Sequence, residues 1–176
     1  MADTHKCFIS YHKDDMTAVE SFIEEFEDVF IDKIVGAFDY EPIASDSEDY
    51  IKQTIREDYL TDSTVTIVLV GKCTWARKFV DWEIASTLRN DSKNKRSGLL
   101  GITLESVAED ADRRCPARLE ANRGNSGDDS KYARWYKYPG SASALTAWIE
   151  DAYQSRDDRA DVIDNSLSLM AANLTC

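Results

Sequence analysis

Two hydrophobic patterns trade places along the chain: short continuous runs, and apolar residues recurring every three or four positions. Lys6-Cys-Phe-Ile-Ser-Tyr11 is the first continuous run and reads as a short strand. Val19, Phe22, Ile23, Phe26 and Phe30 then follow helical spacing, with Glu20, Glu24, Glu25 and Glu27 on the wet side. Ile34-Val-Gly-Ala-Phe38 reads as a second strand, closed by the turn-like Asp39-Tyr-Glu-Pro42. Ser45 with Glu48 fits a capping box, and Tyr50, Ile51, Ile55, Tyr59 and Leu60 carry the next helix. Thr64-Val-Thr-Ile-Val-Leu-Val-Gly71 is β-branched, uncharged and ended by glycine, the pattern of a central parallel strand covered on both faces. A helix starts directly after it, over Lys72–Ile84. Ser97–Leu104 is a fourth strand, Tyr132–Tyr138 a fifth, and Leu145, Trp148, Ile149 and Ala152 place a last helix.

Between Glu105 and Lys131 the periodicity dissolves, and Arg123-Gly-Asn-Ser-Gly-Asp-Asp-Ser130 reads as a polar loop on a surface excursion. After Asp157 only a weak amphipathic trace remains, in Val162, Ile163, Leu167 and Met170. Strands alternating with helices imply one α/β domain over residues 1–176, with a core of about 5–155 and a tail over 156–176. The expected architecture is a flavodoxin-like three-layer sandwich around a mostly parallel five-stranded sheet.

Composition narrows the function classes. No apolar run reaches membrane-span length and the start of the chain lacks a signal-peptide pattern, so a cytoplasmic location is expected. A formal charge of −12 argues against nucleic acid or an anionic membrane as partner, since both demand a basic face. Cys7, Cys73, Cys115 and Cys176 stand far apart without a CxxC, which points to free thiols rather than a disulfide framework or structural zinc. With only His5 and His12, no mechanism that needs several histidines is open, and no metal site is expected.

Ligands of open α/β sheets bind at the carboxyl edge of the strands, where the helix after the third strand delivers Glu83 among aromatic residues. Neither GxGxxG nor GxxxxGK[ST] follows the first strand, which rejects a Rossmann dehydrogenase and a P-loop NTPase. Asp14-Asp15 and Asp39 invite comparison with a phosphoacceptor receiver domain, but the third strand ends in Val70-Gly71 instead of an acceptor aspartate. Each candidate also has a plainer use. Glu83 suits a solvated helix face, Tyr11 a packed strand end, His12 a polar loop and Asp39 a turn. Thr74 suits a helix N-cap, and Trp75, Phe79 and Trp82 form a packing stripe at i, i+4, i+7. Cys73 has no neighbour in sequence that would activate it.

Taken together, these motifs resemble the Toll/interleukin-receptor (TIR) domain, and most closely the TIR-like subgroup of bacterial Thoeris anti-phage defence. The matching positions are Phe8, Ser10 and His12 within Phe8-Ile-Ser-Tyr11; Ala37-Phe38-Asp39; Val68-Leu69-Val70-Gly71 with Thr74; and Arg77, Phe79-Val80 and Trp82-Glu83-Ile84. Phe79 stands where the family has tryptophan, and Trp82 where it has tyrosine. The resemblance implies an enzyme that cleaves NAD at the nicotinamide–ribose bond, with NAD as substrate and no resident cofactor. Its product would be a cyclic or modified ADP-ribose read by a separate effector protein, with self-association possible. Glu83 would be the catalytic acid, with Phe8, Ser10, Tyr11, His12, Asp39, Thr74 and Phe79 lining the nucleotide site. The rival reading is a non-catalytic TIR-like interaction or nucleotide-sensing module.

Overall fold

The computed structural model describes residues 4–34, 47, 50, 54, 60–92 and 95–176. Its elements run β1 (Lys6–Ser10), α1 (Met16–Glu25), β2 (Ile31–Ile34), β3 (Val65–Val70) and α2 (Lys78–Thr87), then β4 (Gly98–Thr103), α3 (Ala117–Asn122), β5 (Arg123–Gly124), β6 (Ala133–Tyr136) and α4 (Ala142–Asp158). The strands lie in the order β2-β1-β3-β4-β6-β5, and every neighbouring pair is parallel. The flavodoxin-like sandwich is therefore as expected, with six strands in place of five. The additional strand is β5, two residues long, at the edge beyond β6. The chain winds from β1 to β2 in one direction and from β3 to β4 in the other. The switch falls between β1 and β3, where open parallel sheets place their ligands.

All six residues of β3 and all six of β4 are buried, which explains their continuous apolar sequences. Alternate side chains serve opposite layers. Cys7, Ile9, Ile67, Leu69, Leu100 and Ile102 face α1 and α4, meeting Val19, Phe22, Leu145 and Ile149. Val68, Val70 and Leu99 face α2 and α3, meeting Val80, Ile84, Leu88 and Leu119. On the α4 side the packing closes to backbone contact: a Cβ on Gly98 would stand 2.0 Å from the Ala152 carbonyl oxygen. Among the described residues no helix is long and apolar enough to cross a membrane.

The structure corrects four sequence expectations. The helix after β3 starts later: Thr74–Ala76 form a 3-10 turn, Arg77 is extended, and α2 begins at Lys78. Trp75 thus leaves the expected stripe and stacks with the Arg114 guanidinium, 4.6 Å from the ring centre. The supposed excursion over 105–131 contributes α3, with Arg118, Leu119 and Asn122 buried; six residues are too few to display a helical period. The tail is a strap laid along α2 and α3. Finally, Cys73 and Cys176 form a disulfide with Cα atoms 5.5 Å apart, leaving Cys7 and Cys115 as the free thiols. A separation of 103 residues hides that pairing from the sequence. Of the other expectations, the 35–38 part of the second strand and the capping residues Ser45 and Glu48 lie outside the described residues.

Arg118, only 1% exposed, organises the strap. Its Nε and Nη2 donate to the two carboxylate oxygens of Asp81 on α2 at 2.9 and 3.2 Å. The same guanidinium donates to Asn165 Oδ1 and to the carbonyls of Leu167 and Ser168. Asp81 Oδ2 also accepts from the Met170 amide at 2.9 Å, so the ion pair joins α2, α3 and the strap. Arg118→Ala strands a buried carboxylate and is expected to cost about 3–5 kcal/mol. Urea unfolding of the variant beside wild type measures it; a loss under about 1 kcal/mol, the range of an exposed ion pair, contradicts this role.

Candidate active site

At the carboxyl ends of β1 and β3 the structure brings Ser10, Tyr11, His12, Asp15, Gly71, Thr74 and Glu83 into one region. Ser10 follows Phe8 on the face of β1 that looks toward α2, and Glu83 lies in the middle of that helix. The Ser10 hydroxyl donates to Glu83 Oε2 at 2.5 Å. Both side chains are buried, Ser10 at 1% and Glu83 at 5% exposure. One turn further along, Thr87 donates to the Glu83 carbonyl at 2.8 Å and hydrogen-bonds Thr66 on β3 at 2.8 Å. Two polar contacts, Ser10–Glu83 and Thr66–Thr87, therefore set the height and rotation of α2 over the sheet. Glu83 is not the solvated helix glutamate that its sequence alone would allow.

Tyr11 is half-buried beside this carboxylate. Burial first, and then the negative charges of Glu83 and Glu20, push its phenol above the usual tyrosine range, so it stays neutral and can donate a hydrogen bond. His12 is 6% exposed and caps the turn over Lys13–Asp15, its Nδ1 accepting from the Asp14 amide at 3.2 Å. That leaves the imidazole proton on Nε2, which is 3.6 Å from an Asp14 carboxylate oxygen. Burial, then the nearby Arg77 charge, hold His12 below the ordinary histidine value, so near neutral pH it is an uncharged cap.

The β1–α1 and β3–α2 connections interlock through Asp15, which the sequence singled out only as one of an acidic pair. Asp15 is the N-cap of α1 but makes no capping bond with its side chain. Its carboxylate fills the notch above Gly71, where a Cβ would stand 2.1 Å from Oδ2. Oδ2 is buried without a hydrogen-bond partner among the described residues, and burial raises the acid above its ordinary value. Thr74 in turn accepts from the Gly71 amide at 2.8 Å. Thr74 is thus fully buried and pins this loop; it does not cap α2.

The remaining candidates separate. Phe79, half-exposed, packs edge-to-face with Trp82 at 5.5 Å, and Lys78 Nζ lies over both rings. Trp82 is turned away under the strap, its Nε1 donating to the Met170 carbonyl at 2.9 Å. Phe8 is fully buried in the sheet and supports β1 from within, with no surface to offer a ligand. Asp39 lies outside the described residues. Among the described residues no three His, Cys, Asp or Glu side chains assemble to hold a metal.

A parallel sheet of this order, with an acid presented at its switch point by the helix after β3, defines a TIR-like protein of the flavodoxin-like class. More particularly, residues 8–109 match the family model described as Thoeris protein ThsB, TIR-like domain, and the chain belongs to that family. It is a defence-related TIR-type module. The match runs from β1 past β4 and takes in Ser10, Tyr11, His12, Asp39, Thr74, Phe79 and Glu83, while α3, α4 and the strap lie beyond it. No curated protein matches the chain.

Two outcomes test this geometry. Ser10→Ala removes a buried hydrogen bond to a carboxylate and is expected to cost about 1–3 kcal/mol in chemical unfolding; an unchanged midpoint would contradict the contact. For His12, a folded pKa below the unfolded one means that the unfolded chain takes up its proton first. The associated stability is present above the ordinary value of 6.5 and is lost as pH falls through the lower folded value. Unfolding measured between pH 7 and 5 should show a shallower pH dependence in His12→Gln than in wild type; equal slopes would remove His12 as the source.

Proposed function

We propose that the protein cleaves NAD at the bond between nicotinamide and ribose, with Glu83 as the essential acid. The observation that carries this reading is the placement of Glu83. It is a carboxylate in a largely dry setting at the β1–β3 switch point, held by Ser10, on the helix that the family match includes. Loss of nicotinamide leaves a ribose with oxocarbenium character, as in glycoside hydrolysis. A carboxylate fixed before the reaction, and hydrogen-bonded to ribose hydroxyls, stabilises that positive charge as it develops without having to reorganise. Nicotinamide departs as a neutral base, so neither a strong general acid nor a metal is needed, and a neutral His12 is compatible with the chemistry. Tyr11 is a phenol donor beside the acid, and the half-exposed Phe79 ring can wall the nicotinamide end. Asp39 and the stretch after it would border the nucleotide, as the family resemblance implies. The product would be a cyclic or modified ADP-ribose that signals to a separate effector protein.

One observation favours the non-catalytic reading: Glu83 is already engaged by Ser10 and only 5% exposed, as a purely structural anchor of α2 would be. Nicotinamide release from NAD, followed by chromatography for wild type and Glu83→Gln, separates the two. The expected result is release by wild type, reduced on the order of 100-fold or more in the variant, with the product peak distinguishing cyclisation from hydrolysis. Equal release from both proteins would remove Glu83 from the mechanism. NAD binding by a wild-type protein that releases no nicotinamide would establish a sensing module instead.

A further inference from the structure

The strap ends where the candidate site begins, and its attachment there is chemically distinct from the rest. From Asn165 to Met170 it is held by the buried Arg118–Asp81 pair, by Asn165 donating to the Ala85 carbonyl, and by Trp82 donating to the Met170 carbonyl. Beyond Met170 every residue is exposed. Among the described residues, three links hold this last part. The Leu174 amide donates to the Ala76 carbonyl at 2.9 Å, Asn173 Oδ1 accepts from the Lys78 amide at 2.9 Å, and Cys176 is bonded to Cys73. The Asn173 link matters most for α2. Arg77, the N-cap of that helix, supplies no side-chain cap, so the cap is delivered from the strap, three residues before the disulfide.

We propose that the Cys73–Cys176 disulfide is a thiol–disulfide exchange site whose reduction by a dithiol releases residues 171–176 and uncaps α2. The exposed Cys176 sulfur is the one open to attack, while Cys73 is half-buried in the loop between Gly71 and Thr74. A thiolate of the dithiol bonds to Cys176 Sγ, the Cys73–Cys176 bond breaks, and Cys73 leaves as thiolate and takes up a proton. The second thiol of the reagent then displaces Cys176. Two electrons and two protons pass to the protein, giving two thiols and one oxidised dithiol. Oxidised, the clasp holds the Cys73–Thr74 loop and the first turn of α2, which carries Phe79. Reduced, two hydrogen bonds to an exposed segment, one backbone and one through the Asn173 side chain, do not withstand its conformational entropy, and the turn opens. The device is independent of whichever chemistry Glu83 performs.

The test uses full-length protein purified without reductant, with dithiothreitol as the dithiol. Thiol titration in denaturant should count two thiols before reduction and four after it. Hydrogen exchange at the Lys78 and Leu174 amides should accelerate by roughly tenfold or more on reduction. Cys176→Ser should reproduce the faster exchange without reductant and no longer respond to it. Asn173→Ala should accelerate Lys78 with the disulfide intact, which separates the cap from the tether. Four thiols in unreduced protein, or unchanged exchange at both amides on reduction, would overturn the proposal. An Asn173→Ala variant with normal Lys78 exchange would overturn the capping role.

Discussion

Asp81 and Glu83 are buried two positions apart on a ten-residue helix, and most of the structure around α2 follows from that constraint. A buried carboxylate is tolerated only when its lost hydration is replaced. Because the two residues sit on different faces, the replacements come from different directions. Glu83 reaches inward to Ser10 on β1. Asp81 reaches outward to Arg118 on α3 and to the Met170 amide. The helix is therefore gripped from the sheet and from the strap.

For the proposed chemistry the division matters because the ion pair that anchors α2 to the strap is not the acid at the sheet edge. Asp81 takes the bidentate guanidinium and with it the structural burden. Glu83 has the Ser10 hydroxyl, a neutral group, as a hydrogen-bond donor. Around it stand a phenol kept neutral by burial and a histidine kept neutral by burial and Arg77. The interlock of Asp15 with Gly71 and Thr74 fixes the two loops that frame this edge. An acid of fixed position in a site of mostly neutral polar groups suits a reaction in which positive charge appears on the sugar during the step.

Much of the fold was legible because β3 and β4 are uninterrupted apolar strands and α1 and α4 keep a clear helical period. Glu83 was legible from its place after β3, and Ser10 from the family motif it shares, although only the structure shows that they touch. The features that escaped have a common cause. Arg118 reads as a surface arginine on too short a helix, and Asn173 as one polar residue in a weakly patterned tail. Asp15 reads as half of an acidic pair, and Cys73 as unpaired until residue 176 is brought back to it. In each case the residue gains its meaning from a partner distant in sequence, which no local period reports. Phe8 erred in the opposite direction: it belongs to the motif, yet its ring is interior.

The central claim is that Glu83 meets the ribose whose bond is broken. A crystal structure of Glu83→Gln with NAD addresses it most directly, since the variant keeps the side-chain shape while slowing turnover. NAD is expected at the carboxyl edge of β1 and β3, with nicotinamide-ribose hydroxyls about 3 Å from the residue 83 side chain. NAD seated elsewhere on the protein, or at this edge with its ribose turned away from residue 83, would contradict it.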